Sequence, residues 1–216
     1  MLLCFAMNSS KRAELLYQQG RRHLYGDGVS FSYEEAITYL KKAADLGHTK
    51  AQYNLGICLH QGTGICQSYQ KAYDCFRKAA KKNHARSYYM LGCYSVFGFL
   101  SPPSEEVAAQ YFRLAADAGI ADAQYDLGVL LLYGKGLTQS DQQAIHYFKL
   151  AAAQGNADAE YNLGVCYFHG LGVTPSRDEA IRYLEQAVRK RQPKAAAALE
   201  VVMMAHSTPG IRPNTI

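Results

Sequence analysis

The chain is 216 residues long, 49% hydrophobic and 19% charged, which is enough to bury one continuous core and unlike the polar composition of a disordered chain. Its net charge of +5 comes from 23 basic and 18 acidic residues interspersed along the sequence. There is no basic stripe of the kind that tracks a phosphate backbone, so nucleic acid is not an expected partner. No apolar run approaches the length of a spanning helix, and no membrane span is expected.

Met1 to Met7 is apolar and uncharged, so residues 1–9 read as the edge of a longer parent chain or as a leader without function. From Tyr17 a beat of 36 residues governs the sequence, carried by Tyr17, Tyr53, Tyr89, Tyr125 and Tyr161. Three residues later stand Gly20, Gly56, Gly92, Gly128 and Gly164, and six further on Gly26, Gly62, Gly98, Gly134 and Gly170, with no insertion or deletion. A fixed period of this length means stacked supersecondary units, hence a solenoid.

Within each unit the apolar spacing is helical. Ala51, Leu55, Cys58 and Leu59 fall on one stripe, predicting a helix A of about 12 residues that ends at Gly62. A serine then recurs as Ser32, Ser68, Ser104, Ser140 and Ser176, a residue whose oxygen accepts from the free N–H groups of a first turn. Glu35, Gln143 and Glu179, three residues on, are expected to complete capping boxes. Helix B follows as Ala36, Tyr39, Leu40, Ala43 and Ala44, matched in later copies by Ala72/Phe76/Ala79/Ala80, Ala108/Phe112/Ala115/Ala116, Ala144/Phe148/Ala151/Ala152 and Ala180/Leu184/Ala187/Val188. Alternating large and small residues let neighbouring helices approach closely. Gly47, Asn83, Gly119 and Gly155 then end helix B in the left-handed conformation.

The expected domain therefore spans residues 10–206, with repeats near 15–50, 51–86, 87–122, 123–158 and 159–194. Pro193 opens an eleventh, alanine-rich helix to about His206, in which Ala197 and Glu200 replace the tyrosine and glycine of the beat. A terminal unit that loses inner packing residues reads as a cap, and residues 207–216, with Pro209, Gly210 and Pro213, are expected to be disordered.

The strings AQYNLGICLHQGTGI, AQYDLGVLLLYGKGL and AEYNLGVCYFHGLGV resemble the Sel-one-like repeat, a close relative of the tetratricopeptide repeat, and the likeness runs from about residue 13 to 206. It implies an all-α fold, a right-handed α/α solenoid of five 36-residue helix pairs with a C-terminal capping helix, used as an adaptor for protein complexes without catalysis of its own. The wording is also similar to the repeat region of the death ligand signal enhancer family of mitochondrial stress adaptors. A secreted bacterial branch of the Sel-one-like family pairs a cysteine at the second position of helix A with one at the end of helix B. Here Gln52, Tyr88, Gln124 and Glu160 occupy that helix A position, so the disulfide framework of that branch is not expected.

The cysteines Cys4, Cys58, Cys66, Cys75, Cys93 and Cys166 form no C-x-x-C pair. Cys58 and Cys166 share a stripe position that suits cysteine as a small hydrophobe, and a reducing, intracellular compartment is expected, the cytoplasm first and the mitochondrion second. The seven histidines show no H-x-x-H or H-E-x-x-H spacing. His60 and His169 close a helix A, where a solvated helix-end histidine competes with a metal role. Gly134-Lys-Gly136 shares only glycine with a phosphate loop, and no nucleophile motif stands out from the repeats. No enzyme activity, metal, cofactor or small-molecule substrate is expected.

The expected function is a protein-interaction scaffold that takes a partner peptide or helix in the concave groove of the superhelix, in a signalling or stress-response complex. A self-assembling oligomerisation module is the alternative, and an enzyme or nucleic-acid binder a remote one. The groove columns, read by phase, run Glu14, Arg21, Leu24; Lys50, Ile57, His60; Arg86, Cys93, Phe97; Asp122, Val129, Tyr133; Asp158, Val165, His169, beside Tyr53, Tyr89, Tyr125 and Tyr161. The first column changes from basic Lys50 and Arg86 to acidic Asp122 and Asp158, which would orient a partner. The middle column, apolar from Ile57, suits aliphatic or aromatic contacts, although tyrosines and branched residues also serve as packing between helices. The third copy breaks the beat at Gly98-Phe99-Leu100-Ser101-Pro102-Pro103. There Phe97, Phe99 and Leu100 either form an exposed apolar contact patch or tuck against helix B of their own unit.

Overall fold

Five serines start five helices. Ser32, Ser68, Ser104, Ser140 and Ser176 each precede a helix, and each hydroxyl oxygen accepts the backbone N–H three residues on at 3.3–3.4 Å. The second half of a capping box is not made. The N–H groups of Ser32, Ser68, Ser140 and Ser176 donate instead to the carbonyls of His23, Leu59, Leu131 and Tyr167, at 3.1, 2.9, 2.9 and 2.9 Å. A carbonyl near the end of the preceding helix thus takes the donor that Glu35, Gln143 and Glu179 were expected to fill, and Glu179 pairs with Arg182 at 2.6 Å.

A computed structural model of the chain describes residues 8–205. The segments expected at residues 1–7 and in the tail from residue 206, Cys4 and His206 included, lie outside the described residues. The chain divides into two units, Met1–Pro103 and Ser104–Ile216. The first holds α1 (Ser9–Tyr25), α2 (Tyr33–Asp45), α3 (Thr49–Gln61), α4 (Tyr69–Ala80) and α5 (Ala85–Phe97). The second holds α6 (Glu105–Asp117), α7 (Ala121–Tyr133), α8 (Asp141–Ala153), α9 (Ala157–His169), α10 (Arg177–Arg189) and α11 (Ala195–Met204). Among the described residues the fold is all-α, with helices paired in sequence order as an α-solenoid requires.

The core is made of the two stripes read from the sequence. On α3, Ala51, Leu55, Cys58 and Leu59 are buried, and helix B contributes Phe76, Phe148 and Leu184, none with any exposed surface. The helix A glycines explain how closely the pairs approach. A Cβ added at Gly56, Gly128 or Gly164 would stand 2.6 Å from the side chain of Phe76, Phe148 or Leu184, inside van der Waals contact, so glycine is required at these three positions.

Polar ties join consecutive pairs. Gln124 donates to the Ala116 carbonyl at 3.1 Å and accepts from Gln154 at 2.8 Å; in the next copy Glu160, almost wholly buried, receives Lys190 at 2.7 Å. Gln52 likewise donates to the Ala44 carbonyl at 3.2 Å. These are the positions where the secreted branch is expected to carry cysteine, so hydrogen bonds and one ion pair span the junction here. The eleventh helix, α11, packs on α10 through Ala195 and Val202. It leaves Val201, Met203 and Met204 exposed, so its outer face is more apolar than a cap read from Glu200 suggested.

Two glycines separate backbone strain from contact. Gly119 (φ +86) has nothing within 4 Å of an added Cβ, whereas at Gly136 (φ +67) that atom would lie 2.2 Å from the Glu105 carbonyl carbon. Gly119→Ala should therefore cost roughly 1–2 kcal/mol for the left-handed conformation. Gly136→Ala should cost about 1–3 kcal/mol more for overpacking. Equal unfolding midpoints for the two variants in a denaturant titration would show that the close approach at Gly136 carries no energy.

Candidate partner-binding faces

The charges of the first helix A column reach across the repeat junction. Glu14 Oε2 lies 2.8 Å from His48 Nε2, Asn156 donates to Asp122 at 3.4 Å, and Gln192 donates to Asp158 at 3.3 Å. His48 and Asn156 are also the N-caps of α3 and α9, accepting from Ala51 and Ala159 at 3.1 and 2.8 Å. Glu14 and Asp122 thus steady the caps of the next repeat, and they and Asp158 stay exposed to solvent. Hydrogen bonds from Gln18 and then His48 hold the Glu14 carboxyl below its usual range.

Lys50 differs in charge from those acids, and the N-cap that follows it starts the helix whose first turn holds Arg86. That cap is His84, whose ring packs on Tyr53 with centroids 4.8 Å apart and whose Nδ1 lies 3.0 Å from the buried Ser87 hydroxyl. Burial first, then the positive charges of Arg86 and Lys50, pull the His84 pKa below its ordinary value. Arg86 also hydrogen-bonds the Tyr53 hydroxyl. Exposed Lys50 and Arg86, half-buried His84 and Tyr53 therefore form one basic spot in the first unit.

The tyrosines serve packing and surface together. Tyr17 is buried and stacks on His48 at 4.4 Å, while Tyr53 and Tyr125 rest on Phe76 and Phe148 at 5.9 and 6.1 Å and stay half-exposed. Burial, helped by Asp158 and Asp126, pushes the Tyr125 hydroxyl up to about 12. Tyr161 packs beside the core of Ala180, Leu184 and Val202. Tyr89, Ile57, Val129, Val165 and His169 are half-buried, whereas Phe97 and Tyr133 are exposed.

The third copy splits the loop residues. Phe99 tucks into an aromatic cluster, its ring 4.7 Å from Tyr69, 4.9 Å from Tyr94 and 5.5 Å from His60. His60 Nδ1 and the Tyr94 hydroxyl share a hydrogen bond at 2.9 Å, and burial pushes that hydroxyl up to about 12. Phe97 remains 69% exposed and Leu100 41%. In the second, fourth and fifth copies the second loop glycine lies against the start of helix B of the preceding repeat, as Gly64 does on Tyr33; Leu100 stands at that beat, and the Phe99 ring supplies the contact on Tyr69. The sequence reading missed Tyr94, although a large aromatic in phase with Cys58, Leu130 and Cys166 was a visible signal. Cys58 and Cys166 are buried as expected, and burial pushes the Cys166 thiol up to about 12.

Among the described residues no group of three or more His, Cys, Asp or Glu side chains gathers at a metal-binding distance, and no helix is long and apolar enough to cross a membrane. The molecule is an α-helical repeat protein. The Sel1 repeat matches residues 13–48, 49–84, 85–120, 121–156 and 157–191, and the chain belongs to the Sel1 repeat family. Proteins of this family are generally non-catalytic scaffolds for protein interaction.

Solved structures agree. The chain is similar to a Sel1 repeat protein of Oxalobacter formigenes, at 26% identity and a TM-score of 0.78 over 95% of this chain and 90% of that one. A protective antigen of uropathogenic Escherichia coli with an SLR fold matches at 23% identity and a TM-score of 0.58, over 88% of this chain and 49% of that one. An immunity protein of Pseudomonas aeruginosa matches at 23% identity and a TM-score of 0.53, over 86% of this chain and 68% of that one. A search of the curated proteins finds no match.

The split at the third loop is testable. Phe99→Ala should cost about 1–3 kcal/mol, part of the penalty for a fully buried phenylalanine, because its ring is only half covered. Leu100→Ser should change stability by less than about 0.5 kcal/mol, as exposed substitutions do. Chemical unfolding of the two variants checks the order, and an equal loss would place both side chains in the core.

Proposed function

We propose that the chain is a non-enzymatic adaptor that holds a partner peptide or helix along the helix A faces of its units, within a signalling or stress-response complex. The observation that carries this reading is the basic spot of the first unit, where Lys50, Arg86 and His84 surround Tyr53. Exposed positive charge beside half-exposed aromatic and aliphatic side chains suits a partner segment with carboxylates next to an apolar anchor. Asp122, Asp158 and the apolar Val129 and Val165 offer the second unit a contact of opposite sign. The five described cysteines are all free thiols, which supports a reducing compartment. Exposed Phe97 and Leu100 support self-association as the second reading.

The charge reversal Lys50→Glu/Arg86→Glu should abolish co-purification of acidic partners from the native host while leaving the melting temperature within a few degrees. Unchanged co-purification would refute the basic spot as a contact. Proton linkage gives an independent check. Neutral His84 contributes stability that is full above its ordinary value near 6.5 and lost as pH falls through its lower folded value. A carboxylate seated among Lys50, Arg86 and His84 raises that value, so binding takes up a proton and acidic peptides should bind more tightly at pH 6 than at pH 8. His84→Gln should flatten the dependence, and a flat profile in the unaltered protein would contradict the assignment.

A further inference from the structure

One helix B position breaks its own beat. Tyr39, Tyr111, Tyr147 and Tyr183 stand in phase, but the second copy has Cys75. In the first and last copies that ring covers helix A of its own pair: Tyr39 stacks on His23 with centroids 5.7 Å apart, and Tyr183 on Tyr167 at 5.6 Å. In the fourth, the Tyr147 hydroxyl donates to Asp117 at 3.2 Å. The residue in phase with His23 and Tyr167 is Leu59, so neither member of the second pair carries a ring. A cleft of about 300 Å³ opens there, floored by Leu55, Leu59, Ile65 and Cys75.

Its rim is basic. Lys41, Lys71 and Lys78 surround the apolar floor; of the two carboxylates that act on Cys75, Asp74 and Asp45, the first lines the cleft and is paired with Arg77 at 3.3 Å. Lysines at both the Lys71 and Lys78 positions occur in this copy only; the fourth has Gln143 and Leu150 there.

We propose that this cleft is a second docking site, which receives one aromatic side chain from an acidic segment of a partner protein. The ring would sit where other copies place their own tyrosine, and flanking carboxylates would meet the three ammonium groups. A desolvated aromatic side chain inside a polar rim is the arrangement in which a few residues carry most of an interface's binding energy. The site rests on the reading of the chain as a scaffold, but it uses none of Lys50, Tyr53, His84 or Arg86.

The test is selection of a random 16-residue peptide display library on the full chain, with counter-selection on Cys75→Tyr. That variant restores the residue of the other copies, and its melting curve confirms folding. Discriminating peptides should carry a Phe, Tyr or Trp and a net negative charge. They should bind Lys71→Glu/Lys78→Glu at least tenfold more weakly and bind Lys50→Glu/Arg86→Glu unchanged. The proposal is overturned if no peptide discriminates, or if those that do lack the ring or the acid. It is also overturned if dodecanoate, and not the peptides, shields Cys75 from a thiol reagent, since the occupant would then be a fatty anion. Failure here with the Lys50/Arg86 effect intact removes the cleft alone, and the converse removes the proposed function alone.

Discussion

Helix A lies against helix B at a distance set by a missing methyl group. At Gly56, Gly128 and Gly164 an added Cβ would come 2.6 Å from a fully buried Phe76, Phe148 or Leu184, and that approach lets Ala72, Ala79, Ala144, Ala151, Ala180 and Ala187 of helix B bury completely. Glycine inside a helix costs about 1 kcal/mol relative to alanine. A sequence that accepts this cost in phase, copy after copy, recovers it through packing that no larger residue would permit.

With the pair distance fixed, the junctions between pairs need only light, local ties. Gln124 with Gln154 and Glu160 with Lys190 stand where a covalent link is expected in the secreted branch. Glu14 with His48 and Asp122 with Asn156 add a second line of contacts that also settles the first turn of the next helix A. The acidic members of that column thus tie the junctions while keeping an exposed face, as the basic members do. Lys50 and Arg86 flank the half-buried ring of His84, whose pKa their charges help to lower.

The periodic part of this architecture was legible in the sequence. The serine caps, the left-handed ends at Gly47, Asn83, Gly119 and Gly155, and the buried stripes all follow from residue type and phase, because each depends on contacts inside one repeat. What phase alone did not reveal depends on neighbours brought close by the fold. The capping-box glutamates lost their donors to carbonyls of the preceding helix, Phe99 joined His60 and Tyr69 while Leu100 faced out, and the cleft at Cys75 needed the packing of its neighbours to become visible. In each of these cases the signal was a departure from the beat whose consequence only packing decides.

The central claim is that the beat encodes close helix pairing, and a double-mutant cycle at Gly128 and Phe148 tests it most directly. Gly128→Ala alone should destabilise by about 1–3 kcal/mol through overpacking, despite the gain of about 1 kcal/mol that alanine brings to a helix interior. Combined with Phe148→Ala, which removes the ring that the new methyl group would meet, the loss should be smaller than the sum of the two single losses, giving a coupling energy of about 1 kcal/mol or more. Additive effects, or a Gly128→Ala variant more stable than the parent, would contradict the account.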